Sequence, residues 1–295
     1  MPATSAELRI MYEIQLFGRL EVRTRGVRLA GRDFGGVKPR HILALLALRG
    51  ALRPAELAEL LWDGRPPANH VATVQSYVSL LRRRLDPSAL PRDSVIATGN
   101  GGYALVAERV RVDVARFDEL VTVANGRTAG RALPPLTAAA HLADRPLLAD
   151  ERCTWADAAR AVYQARLLET LLDAAGYALT AGRVREALAL ADRAVELDPL
   201  AECGWRTTMA AHRALGDRVA ALRAYDRCRR ELARGLGVEP SASTRALFLE
   251  LLREDGTAPS TAVDGAVPAV LAPAREPERP ATVALLLRRG AELVS

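Results

Sequence analysis

The segment from residue 70 to residue 85 restricts the fold of this chain more than any other stretch. At about 100° per residue, its large apolar side chains fall on one stripe and its polar side chains on the opposite side. The stripe consists of Val71, Val74, Val78, Leu81 and Leu85. The pattern predicts an amphipathic helix that faces a core, with Asn69 at its N-cap and Asp86-Pro87 at its end.

Two further helices precede this segment, and short strands flank the set. Residues 38–49 and 54–62 each have a proline in the first turn, followed by an apolar block. Residues 12–29 alternate apolar and polar side chains between glycines, which is typical of antiparallel strands. The run VIATGNGGYAL at residues 95–105 has the strand–turn–strand pattern of a hairpin. This order predicts a winged helix-turn-helix domain over residues 11–111.

The second half of the chain, residues 112–255, has the pattern of an almost continuous series of helices with an internal repeat. Residues of one copy recur 34 positions later in the next: Gly182, Arg183, Ala187, Leu188 and Ala191 match Gly216, Asp217, Ala221, Leu222 and Tyr225. This period is typical of tetratricopeptide repeats, in which glycine forms the turn and alanine lets paired helices approach. An Ala/Leu-rich bundle without a true repeat is the alternative interpretation. The predicted fold is therefore mainly α with a small β component: an N-terminal winged helix-turn-helix followed by an all-α tetratricopeptide-like domain.

The two ends of the chain lack these patterns. Residues 1–10 are expected to be a disordered N-terminal extension, and residues 256–295 a Pro/Ala/Gly-rich linker with a short apolar tail from residue 281. No stretch is long and apolar enough to span a bilayer, and the first residues lack the pattern of a secretory signal. These features predict a cytoplasmic protein that does not contact a membrane.

Residues with catalytic or metal-binding chemistry are scattered. The three cysteines and four histidines match neither a disulfide framework nor a zinc spacing, so packing or surface positions are the simplest interpretation. No acid/base pair, nucleophile motif or cofactor fingerprint occurs at usable spacing. The sequence therefore predicts a protein that is not an enzyme and has no cofactor, catalytic residue or metal site.

The positive charge is concentrated in the first part of the chain. Residues 1–112 contain 17 Lys+Arg and 10 Asp+Glu, a net charge of +7, whereas the remaining residues have a net charge of −1. Such an asymmetry is expected when one domain binds a polyanion. The predicted partner is double-stranded DNA.

The candidate DNA-contacting residues lie on three predicted elements. Glutamine can bond adenine through two hydrogen bonds, arginine prefers guanine or phosphate, and hydroxyls bond either bases or phosphates. The candidates are Thr73, Gln75, Ser76, Ser79, Arg82 and Arg83 on the helix of residues 70–85, Lys38 and Arg40 at the start of the first helix, and Arg92, Thr98 and Asn100 on or beside the hairpin. The alternatives are a solvated polar face, two solvated charges, and an asparagine that serves only the turn.

Several segments in order resemble one known family. KPRHILALLAL, LAELLWDGRPPA, TVQSYVSLLRRRLDP and GGYAL are similar to the OmpR-type DNA-binding domain of the Streptomyces antibiotic regulatory protein family, and VDVARFDELV, PLLAD, WADAAR and ELARGLGVEPSASTRAL to its bacterial transcriptional activation domain. The resemblance covers about residues 12–254. It implies an activator, usually of a secondary-metabolite gene cluster, that binds promoter direct repeats, with a homodimer on DNA as one arrangement, and recruits RNA polymerase.

The chain departs from the family pattern at two positions. Family members often have a polar residue at the position of Ala72 and a basic residue at that of Leu80. These differences concern the preferred bases and not the groove that is occupied. The chain also contains no GxxxxGK[ST] motif, so regulation by ATP hydrolysis is not expected.

Two other hypotheses use the same domains. In one, the winged helix contacts protein and the chain is an interaction scaffold. In the other, the chain binds DNA as a repressor. The charge asymmetry and the polar face of the helix favour DNA binding over the scaffold, whereas the sequence does not separate an activator from a repressor.

Overall fold

The computed structural model describes residues 12–87, 90–99 and 101–254, which form two compact units. Unit 1 contains the described residues up to Arg116 together with Leu142–Ala161. Unit 2 contains Phe117–His141 and the described residues from Val162 onward. The contacts within each unit therefore assign Leu142–Ala161 to unit 1. The sequence pattern, in contrast, places this segment in the helical domain of residues 112–255. The predicted extension of residues 1–10 and the tail of residues 256–295 lie outside the described residues.

Unit 1 contains a four-stranded sheet in the order β3–β2–β1–β6. Three antiparallel neighbours come from the alternating segment, as predicted: β1 (Tyr12–Gln15), β2 (Glu21–Thr24) and β3 (Val27–Ala30). The fourth strand, β6 (Val110–Val112), pairs in parallel with β1. It was not predicted from the sequence, because a strand of three residues depends on its distant partner and has little local pattern.

The three predicted helices of unit 1 are present. They are α1 (Val37–Arg49), α2 (Pro54–Leu61) and α3 (His70–Leu85). α3 buries Val74, Val78, Leu81 and Leu85. Asn69 precedes α3, as predicted, although its side chain makes no capping hydrogen bond.

The predicted burial of Val71 is wrong, because 43% of this residue is exposed. Side chains of a helix lean towards its N-terminus. A side chain in the first turn therefore projects past the start of the helix, and the buried stripe of α3 begins only at Val74.

The predicted hairpin is also present and is attached to the α1–α2 connection. It consists of β4 (Ile96–Gly99) and β5 (Gly102–Leu105). Tyr103 and Leu52 exchange two backbone hydrogen bonds of 2.9 Å each. A Cβ atom on Gly102 would lie 2.7 Å from the Leu52 carbonyl oxygen, so only glycine permits this approach.

The carboxylate of Asp86 joins the end of α3 to the sheet and to the hairpin. It accepts hydrogen bonds from the Tyr12 hydroxyl and from the Val95 amide, the latter at 2.9 Å. Arg109 Nη2 lies 3.8 Å from the same carboxylate. Burial, together with the hydrogen bond to Asp86, raises the pKa of Tyr12 to about 12. Because Tyr12 lies in β1 and Val95 precedes β4, one buried group positions three elements.

A second buried carboxylate, that of Glu151, connects α1 to the Leu142–Ala161 segment. Arg40 pairs with Glu151 and donates from Nη2 at 2.9 Å, and His41 Nε2 lies 2.8 Å from Glu151 Oε2. The ring of Trp155 meets the His41 ring edge-on, with 5.3 Å between centroids. Burial raises the pKa of Glu151, but hydrogen bonds with His41 and Arg40 outweigh burial, so the pKa lies below its ordinary value of 4.5.

Seven helices complete the described chain. They are α4 (Asp113–Ala124), α5 (Ala129–Leu142), α6 (Thr154–Thr180), α7 (Val184–Leu197), α8 (Glu202–Ala214), α9 (Arg218–Leu236) and α10 (Ala242–Arg253). Two apolar clusters fill unit 2. One lies among α4 to α7, and the other lies among α7 to α10. In the described ranges, no helix has the length and apolar character needed to cross a membrane.

The predicted 34-residue repeat corresponds to two helix pairs, α6–α7 and α8–α9. Gly182 and Gly216 form the turns, with φ of 71° and 77°. Ala187 and Ala221 are fully buried where the paired helices pack. The repeat is therefore structural, because glycine permits each turn and alanine permits each close approach.

We expect Asp86→Ala to lower the free energy of unfolding of unit 1 by about 3 kcal/mol, because it leaves buried donors without an acceptor. Amide hydrogen exchange of the α3 peptides measures this change separately from unit 2. Asp93→Ala is the matched control, because Asp93 pairs with Arg92 on the surface, where 61% of its side chain is exposed. A loss in the control as large as that in Asp86→Ala would contradict this role for Asp86.

The lowered pKa of Glu151 predicts that unit 1 loses stability in acid. A carboxylate with a depressed pKa contributes stability that is fully present above its unfolded value and is lost as the pH falls through the folded value. Glu151→Gln should cost about 3 kcal/mol near neutral pH, and this difference from wild type should shrink as the pH falls below 4.5. Urea denaturation over a pH series, with amide hydrogen exchange of α1 as the readout, measures this difference in the free energy of unfolding. A pH-independent difference would contradict the assignment.

Candidate nucleic-acid interface

The outward side of α3 carries a ridge of exposed polar side chains. Gln75, Ser79 and Arg83 follow one another at intervals of four residues, so they lie on one side of the helix. Among the described residues, none of the three has a hydrogen-bond or ion-pair partner. A helix of about 10–12 Å in diameter fits the major groove of B-DNA, which is about 12 Å wide. The ridge is therefore free to contact base edges.

Two of the predicted hydroxyls are partly engaged with the helix itself. Thr73 Oγ1 donates to the Asn69 carbonyl at 3.1 Å, and Ser76 Oγ donates to the Ala72 carbonyl at 3.0 Å. Such bonds are common for Ser and Thr in helices. In this arrangement the oxygen lone pairs of both side chains remain to accept a hydrogen bond from a ligand.

Arg82 has contacts that differ from those of its neighbour Arg83. The sequence pattern places both on the polar face, whereas in the structure the Arg82 guanidinium turns towards the hairpin. Its Nη2 donates to the Ile96 carbonyl at 2.9 Å and to Thr98 Oγ1 at 2.7 Å, and Nε donates to the same carbonyl at 3.1 Å. The guanidinium also lies 5.8 Å from the centroid of the Tyr103 ring. Arg82 and Thr98 therefore fasten the hairpin to α3.

The two cations at the start of α1 already have partners inside unit 1. Lys38 Nζ donates to the Leu61 carbonyl at the end of α2 and lies 5.3 Å from the centroid of the Trp62 ring. Arg40 pairs with Glu151, and only 17% of its side chain is exposed. These contacts stabilise the packing of α1 and leave little of either charge for a phosphate.

The remaining candidates lie beside the hairpin. Arg92 is on the surface, 3.7 Å from Asp93, and 80% of its side chain is exposed. Thr98 is exposed and accepts the hydrogen bond from Arg82. Asn100, at the predicted tip of the hairpin, lies outside the described residues. In the described ranges, no group of histidine, cysteine, aspartate or glutamate residues is arranged to hold a metal ion.

Sequence reasoning missed two features of α3. Arg84 is exposed on a flank of the helix, and its place in the Arg82–Arg84 run was the only signal available. Leu80 is half-buried and packs against the loop before α1: a Cβ on Gly35 would lie 2.6 Å from Leu80 Cδ2. Gly35 also has a φ of 85°, which favours glycine. A basic side chain at position 80 would therefore have to leave this contact.

Known proteins are similar to this chain over most of its length, and one family model matches its second half. The family model described as "Bacterial transcriptional activator domain" matches residues 112–252. Transcriptional regulatory protein MoaR1 of Mycobacterium tuberculosis is 30% identical over 253 residues, which cover 82% of this chain and 79% of MoaR1. Regulatory protein AfsR of Streptomyces coelicolor is 34% identical over 270 residues, which cover 87% of this chain but 26% of AfsR.

A solved structure has a similar fold. It is that of Mycobacterium tuberculosis EmbR in complex with a low-affinity phosphopeptide, with a TM-score of 0.68 and 25% sequence identity. The match covers 85% of this chain and 66% of the EmbR chain. The described fold, mainly helical with a small N-terminal sheet, is therefore shared with EmbR over most of this chain.

The neighbouring residues Arg82 and Arg83 should respond differently to truncation. Arg82→Ala removes the hydrogen bonds that hold β4, so we expect faster amide exchange in the hairpin and a free energy of unfolding lower by about 1 kcal/mol. Arg83→Ala is the matched control, because it removes an exposed side chain and should change stability by less than about 0.5 kcal/mol. Peptide-resolved hydrogen exchange measures both. Equal exchange in the two variants would show that Arg82 does not hold the hairpin.

Proposed function

Because the chain belongs to the Streptomyces antibiotic regulatory protein family and is a transcriptional regulator of that type, we propose that it binds promoter DNA selectively through α3 and activates transcription. The observation that carries this proposal is the exposed ridge of Gln75, Ser79 and Arg83 on a helix whose opposite side is buried. The relatives MoaR1 and AfsR are named as regulatory proteins, which supports the same role.

We assign separate tasks to the two halves of the sequence. Residues 11–111 read DNA, with α3 in the major groove and the hairpin of β4 and β5 along the neighbouring minor groove. The net charge of +7 up to residue 112 supports this assignment, because phosphate neutralisation supplies much of the affinity for DNA. Residues 112–255 form the regulatory domain, whose match to a family of activator domains supports contact with RNA polymerase.

The structure divides the candidate residues by whether their side chains already have partners within the protein. Gln75, Ser79 and Arg83 are proposed to contact bases, and Arg92 and the exposed part of the hairpin to contact the backbone. Arg82 acts as a positioning residue for the hairpin, since its guanidinium is bonded to Ile96 and Thr98. The targets implied by the family are direct repeats in promoters of a secondary-metabolite gene cluster, bound by two copies of the chain.

A mobility-shift assay with the full chain and promoter fragments from its own gene neighbourhood tests DNA binding. We expect retention that survives an excess of scrambled competitor and weakens steeply with salt, because bound phosphates release counterions. Arg83→Ala should weaken binding by about 1–3 kcal/mol, the value of a base contact. Arg230→Ala removes an exposed arginine of α9 and is the charge-matched control. Retention without any sequence preference would instead favour the interaction scaffold.

A promoter reporter in a strain that lacks the gene separates the two regulatory roles. An activator requires reporter output to fall in this strain and to recover when the gene is restored. Increased output on deletion would show that the chain is a repressor and would contradict the activation proposed here.

A further inference from the structure

We propose that Val71 selects thymine at one position of the DNA site by contacting its C5-methyl group. This inference rests on the proposed function, because it assigns a base preference to the same face of α3. Val71 was not among the candidate contacts, since the sequence pattern places it in the buried stripe.

The position of Val71 in the first turn explains why its side chain is exposed, but not why that side chain is apolar. The other members of its apolar stripe, Val74, Val78, Leu81 and Leu85, are each at most 4% exposed, whereas Val71 is 43% exposed. A β-branched side chain is also not favoured in an exposed helical position, because it loses rotamer freedom there. Neither core packing nor helix propensity therefore accounts for valine at this position.

Val71 continues the ridge that carries the polar contacts. It lies four residues before Gln75, so Val71, Gln75 and Ser79 follow one another along the same side of α3. Ala72 is exposed beside it and has only a methyl group. The hydroxyls of Thr73 and Ser76 donate to backbone carbonyls of the helix. The first turn of α3 therefore presents the methyl groups of Val71 and Ala72 at the end of a polar ridge.

The chemistry of the major groove identifies the ligand for such a surface. The C5-methyl of thymine is the apolar group in the major-groove pattern of the base pairs, and apolar side chains recognise it by contact. In helix-turn-helix proteins the N-terminal part of the recognition helix contacts base edges. Val71 lies in that part of α3, so its exposed methyl groups are positioned for a thymine.

Helix geometry fixes where this thymine should lie. Four residues of α-helix rise by about 6 Å, and neighbouring bases of one strand are about 3.4 Å apart along the duplex axis. The thymine should therefore lie one or two base pairs from the base that Gln75 contacts. The spacing between this thymine and the base that Gln75 contacts is a second, independent consequence of the proposal.

Replacement of thymine by uracil tests the contact, because the two bases differ only in the methyl group. The probes are duplexes selected by the full chain from a random-sequence library, with each thymine replaced in turn by deoxyuridine. At one position per half-site we expect wild type to bind about fourfold more weakly, the value of one buried methyl-sized group. Val71→Ala should bind thymine and uracil duplexes equally at that position.

Val219→Ala is the matched control. Val219 is an exposed valine in the first turn of α9, in unit 2, so this variant should discriminate against uracil as wild type does. Gln75→Ala should relax the preference one or two base pairs away and leave the thymine preference intact. Circular dichroism and the thermal midpoint of each variant verify that it is folded.

Two results would overturn the proposal. One is selective binding of wild type to duplexes in which uracil is tolerated at every position. The other is a folded Val71→Ala variant that still discriminates against uracil. A library from which wild type enriches no sequence would instead overturn the proposed function, and this inference with it.

Discussion

The carboxylate of Asp86 is the constraint on which the arrangement of the candidate interface depends. It directly follows α3 and accepts hydrogen bonds from the Tyr12 hydroxyl and the Val95 amide. The helix, the sheet and the start of the hairpin are therefore fixed relative to one another by a single group that water does not reach. A buried carboxylate that satisfies several donors is rigid, since moving any one element leaves a polar group unpaired. This rigidity holds the ridge of α3 in a defined position beside the hairpin.

The elements of unit 1 could be predicted from the sequence because their boundaries have local causes. Proline opens α2, glycines separate β4 from β5, and Asp86-Pro87 ends α3. The features that were missed depend on contacts between distant parts of the chain. β6 exists because β1 lies beside it, and Leu142–Ala161 belong to unit 1 because Glu151 pairs with α1. Helical periodicity cannot reveal such contacts.

The predicted site residues fall into two groups for the same reason: those that could be placed from the sequence and those that could not. Gln75, Ser79 and Arg83 could be placed on an exposed ridge because helical spacing alone decides their direction. Arg82 and Arg40 could not, because each guanidinium is directed by a partner far away in sequence, the Ile96 carbonyl and Glu151 respectively. In an arginine-rich chain, the identity of the residue is weak evidence for DNA contact. Its partners decide whether the charge is available.

Unit 1 is built from two separate stretches of sequence, and this has a consequence for its folding during translation. The chain emerges from the ribosome from its N-terminus, so α1 to α3 are complete well before Glu151 and Trp155 are made. Until then, Arg40 lacks its carboxylate, and the face of His41 that contacts Trp155 is uncovered. Nascent unit 1 is therefore unfinished while α4 and α5 are being translated. Its maturation is tied to synthesis of the segment that follows α5.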